Sequence, residues 1–159
     1  MSRFSKSASP HFSASKDAVL REVGRRGYSC IKEHLKTELS SDATTAERLR
    51  RMYAGMARDV ESDRPLWRAV VLSAAMDPVR SPEMRRLEEI AFSLLREILA
   101  EGQERGEVTK AFPVVHLAEF MEGLYTTVVR RWAVDLPGPH SLTERVRSAL
   151  EFFLKGVQQ

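Results

Sequence analysis

The chain has 159 residues, of which 43% are hydrophobic and 30% are charged. This balance is typical of a single globular domain and excludes an intrinsically disordered chain. The formal net charge of +3 is uneven, because residues 1–26 contain six basic and two acidic side chains, a net charge of +4. That excess fits either a neighbouring polyanion such as DNA or a solvated helix start.

Cysteine content and hydropathy limit the cellular compartments and the kinds of site that the sequence predicts. Cys30 is the only cysteine, which excludes an intramolecular disulfide, and we expect no cysteine-based metal site and no cofactor. Residues 1–10 are polar and rich in serine, without the apolar core of a signal peptide. No stretch approaches the ~18 uncharged apolar residues that a membrane span needs. The sequence therefore predicts a reduced, cytoplasmic protein with no membrane partner.

Apolar residues recur at spacings of three and four along most of the chain, which predicts an all-α fold with no β-sheet. The first predicted helix covers residues 16–39, with Ser15 as its N-cap, because Pro10 does not suit the interior of a helix. Gly24 and Gly27 lie within this helix. They indicate a bend or a close contact with another helix.

Local signals divide the middle of the chain into three further helices. Thr44 or Thr45 can cap the first of them. Residues 66–76 are apolar nearly all round, which predicts a helix in the middle of a bundle. The Ser-Pro pair at 81–82 predicts the start of the next helix, and Gly106 predicts its end.

The last third of the chain organises the rest, since it predicts two long helices with broad apolar faces. These helices cover residues 113–135 and 141–157. Ser141 and Glu144 fit a capping box, in which each side chain satisfies a free amide of the helix end. Two such helices pack antiparallel and still leave apolar surface to cover. Either the preceding helices or a second copy of the chain covers that surface.

Three motifs follow one another in the sequence and suggest a family. They are Ser15–Leu20 (SKDAVL), Gly102–Val108 (GQERGEV) with Val115–Ala118 after it, and Trp132 with Ser141–Leu142, Glu144–Arg145 and Leu154–Val157. Together they resemble the regulatory part of tetracycline-repressor-like (TetR-like) bacterial transcription regulators. The resemblance implies an all-α, six-helix ligand-binding and dimerisation domain that forms a homodimer and senses a small molecule.

The resemblance also implies a three-helix DNA-binding head with a helix-turn-helix motif. Only residues 1–14 precede the predicted domain of residues 15–159, and we expect them to be disordered or a remnant of the recognition helix, whose start Phe4–Ala8 resembles. A recognition helix needs a supporting helix across the DNA backbone. We therefore expect weak or no DNA binding unless a complete helix-turn-helix lies upstream. The residues expected nearest DNA are Ser5, Lys6, Ser15 and Lys16.

The resemblance implies a dimer interface on the last two helices, which in relatives form a four-helix bundle with their counterparts. The alternative is that the same apolar residues form the core of their own chain, and symmetric dimers make the interface the preferred interpretation. The candidate interface residues are Phe120, Leu124, Val128, Trp132, Leu142, Val146, Leu150 and Phe153.

A ligand cavity between the central helices is the second implied site, of the apolar kind with few polar groups. Its candidate residues are Met56, Trp67, Val71, Phe92, Met121 and Tyr125, with His116 as a polar anchor. Methionine and aromatic residues at helical spacing also occur in ordinary cores, so plain packing is the alternative for each of them.

Catalysis is not indicated. The four histidines are scattered, and Cys30 is expected to be a buried, unreactive thiol. The leading hypothesis is therefore the effector-sensing and dimerising part of a TetR-like repressor. The alternative is a stand-alone helical small-molecule-binding or interaction module that does not bind DNA.

Overall fold

The computed structural model describes residues 10–76, 82–135 and 138–158. These residues form six α-helices and no β-strand. The one β-type pairing among them is an isolated antiparallel bridge between Val108 and Gln158. The helices are α1 (Pro10–Leu39), α2 (Thr45–Glu61), α3 (Arg64–Met76), α4 (Pro82–Glu104), α5 (Val114–Val134) and α6 (Leu142–Val157). The predicted all-α, six-helix fold is confirmed over this part of the chain. None of the described helices has both the length and the apolar character to span a membrane.

Most helix ends lie where the local sequence predicts them. Thr44 caps α2 and Ser141 caps α6, each through a complete capping box whose partner is the glutamate three residues later. α4 begins at Pro82, and the segment after its end contains Gly106 with a φ of 74°. A positive φ is readily adopted by glycine, which explains the helix end there. Ser81 itself lies outside the described residues.

The amino end of α1 differs from the prediction. α1 covers Pro10–Leu39 and so includes residues before the predicted start at Lys16; Ser15 therefore lies inside the helix and is not its N-cap. At Gly27 the predicted close contact is present, since a Cβ on this residue would lie 2.8 Å from Cη2 of Trp67 on α3.

The core is formed mainly by α2, α4, α5 and α6, with Leu35 contributed by α1. α1 packs against α4, α2 and α3, while α6 packs against α2 and α5. The prediction that residues 66–76 lie in the middle of the bundle is wrong for its described side chains. Residues 66–72 are half-buried or exposed, because one side of α3 packs against α1 and α5 while the opposite side of α3 faces solvent.

Charged side chains connect helix ends across the fold. The buried Arg48 on α2 pairs with Glu101 on α4 at 2.6 Å and donates to the carbonyl oxygen of Leu39 at the end of α1 at 2.9 Å. Glu61 at the end of α2 accepts hydrogen bonds from the backbone N–H of Leu142 and the hydroxyl of Thr143, at the start of α6. These contacts fix α1, α4 and α6 relative to α2.

Candidate ligand-binding site

Two tyrosine rings meet where α2 faces α5. The ring centroids of Tyr53 and Tyr125 lie 5.3 Å apart at an interplanar angle of 56°. Burial, more than any neighbouring charge, raises the pKa of both phenols, so both are neutral at physiological pH. The Tyr125 hydroxyl is buried and has no hydrogen-bond partner among the described residues. A buried hydroxyl without a partner costs about 1–3 kcal/mol, which makes this atom the natural contact for a bound polar group.

Three side chains that can donate or accept protons converge between α1 and α2. The Cys30 thiol donates to Oδ2 of Asp59 at 2.9 Å, and Nε2 of His34 lies 2.9 Å from the same oxygen. Since an ionised carboxylate only accepts, the imidazole is the donor in the second bond. We name Cys30, His34 and Asp59 the α1–α2 cluster.

Contacts within the α1–α2 cluster shift the pKa values of Cys30 and Asp59. Burial raises the pKa of Asp59, but the hydrogen bonds from Cys30 and His34 outweigh it and hold that pKa below its usual range. The bond to Asp59, with burial and the carboxylate charge, raises the pKa of the Cys30 thiol to about 11. The thiol is therefore protonated and a poor nucleophile. Cys30 is also exposed, so the prediction of a buried thiol is wrong.

Gly55 on α2 makes room for the His34 ring. A Cβ at this position would lie 2.6 Å from Cε1 and 2.9 Å from Nδ1 of the imidazole. Any larger residue would therefore displace the ring. Because residue 55 has no side chain, the imidazole can occupy the position in which its Nε2 faces Asp59.

The α1–α2 cluster and Tyr125 belong to one region of the molecule. After burial, electrostatic interactions with Asp59 and Cys30 are the causes that raise the pKa of Tyr125.

Most of the predicted ligand residues lie in or against the core. Met56 and Met121 are buried, whereas Trp67, Val71, Phe92 and Tyr125 are half-buried and pack against the core. His116 is exposed on the first turn of α5 and does not join the core cluster. Sequence reasoning missed Cys30, His34 and Asp59 as a group. The spacing of four between Cys30 and His34, which puts both on one helix face, is the signal that could have found two of them.

A separate cleft of about 200 Å³ lies between α2 and α6. The Arg50–Glu151 ion pair crosses it, with distances of 2.7 Å and 3.0 Å. Its lining residues are Arg50, Tyr53, Ala54, Thr143, Val146, Arg147, Leu150 and Glu151. None of the predicted ligand residues lines this cleft.

The predicted interface residues divide into two groups. Trp132, Leu142, Val146, Leu150 and Phe153 are buried in their own chain, with Arg64 lying 5.2 Å above the Trp132 ring. They have little surface left for a partner. Leu124 and Val128 are half-buried, and Phe120 is 55% exposed. Phe152, which was not predicted as an interface residue, is 74% exposed.

The predicted DNA-proximal residues are described only in part. Ser5 and Lys6 lie outside the described residues, and Ser15 and Lys16 belong to the first half of α1.

No family model matches the sequence, and no curated protein matches it. Solved structures match the fold. The TetR-family transcriptional regulator PfmR from Thermus thermophilus has a TM-score of 0.72 and 22% identity, over 94% of this chain and 80% of that one. The chain has the fold of TetR-family transcriptional regulators.

Two other structures share this TetR fold. FadR from Thermus thermophilus, a TetR-family repressor in complex with lauroyl-CoA, has a TM-score of 0.69 and 24% identity over 89% of this chain and 72% of that one. The ketosteroid transcriptional regulator KstR2 of Mycobacterium tuberculosis has a TM-score of 0.70 and 17% identity over 94% and 76%. The predicted fold resemblance is therefore confirmed.

Proposed function

We propose that the chain is the effector-sensing and dimerising domain of a TetR-type transcriptional regulator. Its effector is a small, mostly apolar molecule with a carbonyl or carboxylate oxygen. The observation that carries this proposal is the buried Tyr125 hydroxyl, which has no partner among the described residues. The neutral phenol can donate to such an oxygen, and the buried methionine and aromatic side chains around the core suit an apolar body.

The likeness to ligand-controlled regulators supports this class of effector. FadR was solved with lauroyl-CoA and KstR2 is a ketosteroid regulator. Acyl chains and steroids are both apolar bodies with few polar atoms. A molecule of this kind would satisfy Tyr125 while its apolar part replaces contacts between side chains of α2, α4 and α5.

Effector binding would act on α1. This helix contributes Cys30 and His34 to the same region and packs against α2, α3 and α4. A ligand with different affinity for two positions of α1 shifts the population between them. A DNA-binding head joined to the amino end of α1 would move with it. The 159-residue chain on its own is expected to bind duplex DNA weakly or not at all, and tight sequence-specific binding in a mobility-shift assay would contradict this.

Dimerisation is proposed on the exposed side of α5 and α6. Thr109 donates to the carbonyl oxygen of Val157 at 2.7 Å, so α6 ends beside the segment that leads into α5 and the two helices run antiparallel. Phe120 lies six residues after the start of α5, and Phe152 lies five residues before the end of α6. Both are therefore roughly 8–9 Å along their helices from the end where α5 starts and α6 stops.

Two glycines extend this surface. Gly123 lies one turn after Phe120 and Gly156 one turn after Phe152, and neither would bring an added Cβ within 4 Å of another group of the chain. Exposed aromatic rings beside small residues permit close approach of a second copy. We name Phe120, Gly123, Phe152 and Gly156 the α5–α6 surface.

The effector proposal is tested by thermal unfolding and calorimetry with lauroyl-CoA, lauric acid and a ketosteroid as probes. At least one probe is expected to raise the melting temperature of the wild-type chain. Tyr125→Phe should weaken binding by about 10-fold, the factor of one hydrogen bond. Tyr53→Phe, in the other ring of the pair, is the matched control and should bind as the wild type does. Binding that is equal in both variants, or absent for every probe, would contradict the proposal.

A further inference from the structure

We propose that Cys30, His34 and Asp59 form a binding site for a divalent cation of the zinc type, which bridges α1 and α2. This inference goes beyond effector sensing and does not depend on it. The thiol sulfur, the imidazole nitrogen and the carboxylate oxygen of the α1–α2 cluster all lie within 4.8 Å of one another. Such a donor set of one S, one N and one O atom is typical of Zn²⁺ and Co²⁺ sites.

The two donor separations that involve Oδ2 of Asp59 are close to what a tetrahedral cation requires. Zinc bond lengths and a tetrahedral angle imply separations of about 3.5–3.7 Å for S···O and about 3.3–3.5 Å for N···O. In the structure both separations to Oδ2 of Asp59 are 2.9 Å. A bound cation would therefore widen these two separations by about 0.4–0.8 Å, within the range of a small side-chain rotation. The backbone can stay in place because Cys30 and His34 are one turn apart on the same helix.

Access and positioning both favour a real site. Cys30 is exposed, and the His34 and Asp59 side chains are 34% and 49% exposed, so a cation can enter without opening the core. Gly55 leaves room for the imidazole in the orientation that faces Asp59, since a Cβ at this position would displace the ring. Three protein donors leave one tetrahedral position for water or another small ligand, the arrangement of an open zinc site.

The chemistry of binding selects the kind of cation. The cation takes the place of the thiol proton, which is released to solvent, and of the proton on Nε2 of His34, which the ring regains on Nδ1 by exchange with solvent. The resulting thiolate, neutral imidazole and carboxylate are its ligands. Mg²⁺ and Ca²⁺ prefer all-oxygen ligands and are not expected to bind here. The positive charge of Arg58 also acts on Asp59 and opposes a cation, but the new thiolate adds a negative charge beside it. A bound cation would join α1 to α2 at the level of Gly55.

The test is a titration of the reduced 159-residue chain with Co²⁺, followed by absorption spectroscopy. We expect one equivalent to produce a near-ultraviolet thiolate-to-cobalt charge-transfer band and the intense visible bands of tetrahedral cobalt, both removed by Zn²⁺. Cys30→Ser should abolish the charge-transfer band. Cys30→Ser and His34→Gln should each weaken binding by more than about 100-fold, above the loss typical of a supporting residue.

Two further variants separate this site from adventitious binding. His116→Gln, which removes an exposed histidine on α5, should titrate as the wild type does. Gly55→Ala should weaken cobalt binding with unchanged helical circular dichroism, because alanine suits α2 and only the imidazole is displaced. A weak octahedral spectrum in the wild type, or tetrahedral bands that survive in Cys30→Ser, would overturn the proposal.

Discussion

Glu107 accepts a hydrogen bond from the backbone N–H of Thr45, with 2.6 Å between the carboxylate oxygen and the nitrogen, although the two residues are 62 positions apart. Thr45 is the first residue of α2, whose amides are free and whose dipole favours a negative charge. Glu107 thus caps α2 from the segment after α4, in addition to the local capping box of Thr44 and Glu47. Two distant parts of the chain are joined at one helix end.

Replacing Glu107 by glutamine should destabilise the fold. Gln keeps an acceptor but loses the charge that strengthens the bond to Thr45, so we expect a loss of about 1 kcal/mol in the free energy of unfolding. Urea unfolding at pH 7 measures it. The control is Glu104→Gln, at an exposed residue that ends α4. It should change the free energy of unfolding by less than about 0.5 kcal/mol. Equal effects of the two changes would contradict the capping role.

The contribution of Glu107 should depend on pH. Burial raises its pKa, but the hydrogen bonds from Thr45 and the charges of Arg105 and Arg48 outweigh it and lower that pKa below the ordinary value of 4.5. The stabilisation is therefore complete above pH 4.5 and is lost as the pH falls through the lower folded-state pKa. The difference in unfolding free energy between wild type and Glu107→Gln should shrink below pH 4.5. A difference that stays constant across this range would contradict the assignment.

Gly102 permits the approach of α2 to this segment. An alanine Cβ at residue 102 would lie 2.5 Å from Oγ1 of Thr45 and 2.7 Å from Cγ2 of Val108. Alanine is intrinsically better in a helix by about 1 kcal/mol, but overpacking costs about 1–3 kcal/mol. We expect Gly102→Ala to destabilise in urea unfolding, and Thr45→Ala in the same chain to recover part of the loss. Strictly additive effects of the two changes would show that no contact couples them.

The Arg64 side chain contacts the carboxyl end of α5 through both hydrogen bonds and an aromatic ring. Its Nη2 donates to the carbonyl oxygens of Trp132 and Asp135 at 2.7 Å and 2.6 Å, and the guanidinium lies over the Trp132 ring. Lysine cannot reproduce this fork, so Arg64→Lys should cost about 1–2 kcal/mol in the free energy of unfolding. Arg68→Lys, which loses one 3.3 Å bond to Val134, is the matched control. Thermal unfolding should separate the two variants clearly, and a tie would sink this prediction.

The α5–α6 surface predicts how the dimer can be broken. Phe152→Glu introduces a charge where a second copy should pack, and we expect at least about 30-fold weaker association, the factor of a 2 kcal/mol hot spot. Sedimentation over a concentration series measures it. Leu72→Glu on α3, a comparably apolar position that is 43% exposed, should leave association unchanged. A wild-type chain that sediments as a monomer at tens of micromolar would contradict the dimer itself.

Helix boundaries were largely predictable from local sequence because caps and turns act over three or four residues. Ser141 with Glu144 and Thr44 with Glu47 need only their own helix ends, and Gly106 needs only its own positive φ. The helical residues before Ser15 were missed because Pro10 suggested a break and residues 10–15 have little apolar periodicity.

The candidate sites were less predictable because periodicity gives an apolar face without its neighbour. Leu142 and Val146 on α6 had the pattern of interface residues, yet they contribute to the core shared by α2, α5 and α6. The apolar run of α3 suggested a central position, whereas its described side chains lie at the edge. In each case the rotation of one helix against the next chose between core and surface.

The sequence by itself therefore determined six helices, most of their ends and the TetR-like order of motifs, since all of these depend on short spacings along the chain. Tertiary structure alone decided that Cys30 meets Asp59, that Glu107 caps Thr45, and that the buried Tyr125 hydroxyl has no partner within the described part of the chain. These arrangements join distant residues or depend on packing from several helices. They follow from how whole helices pack, which minimises exposed apolar area over the entire fold rather than within any one segment.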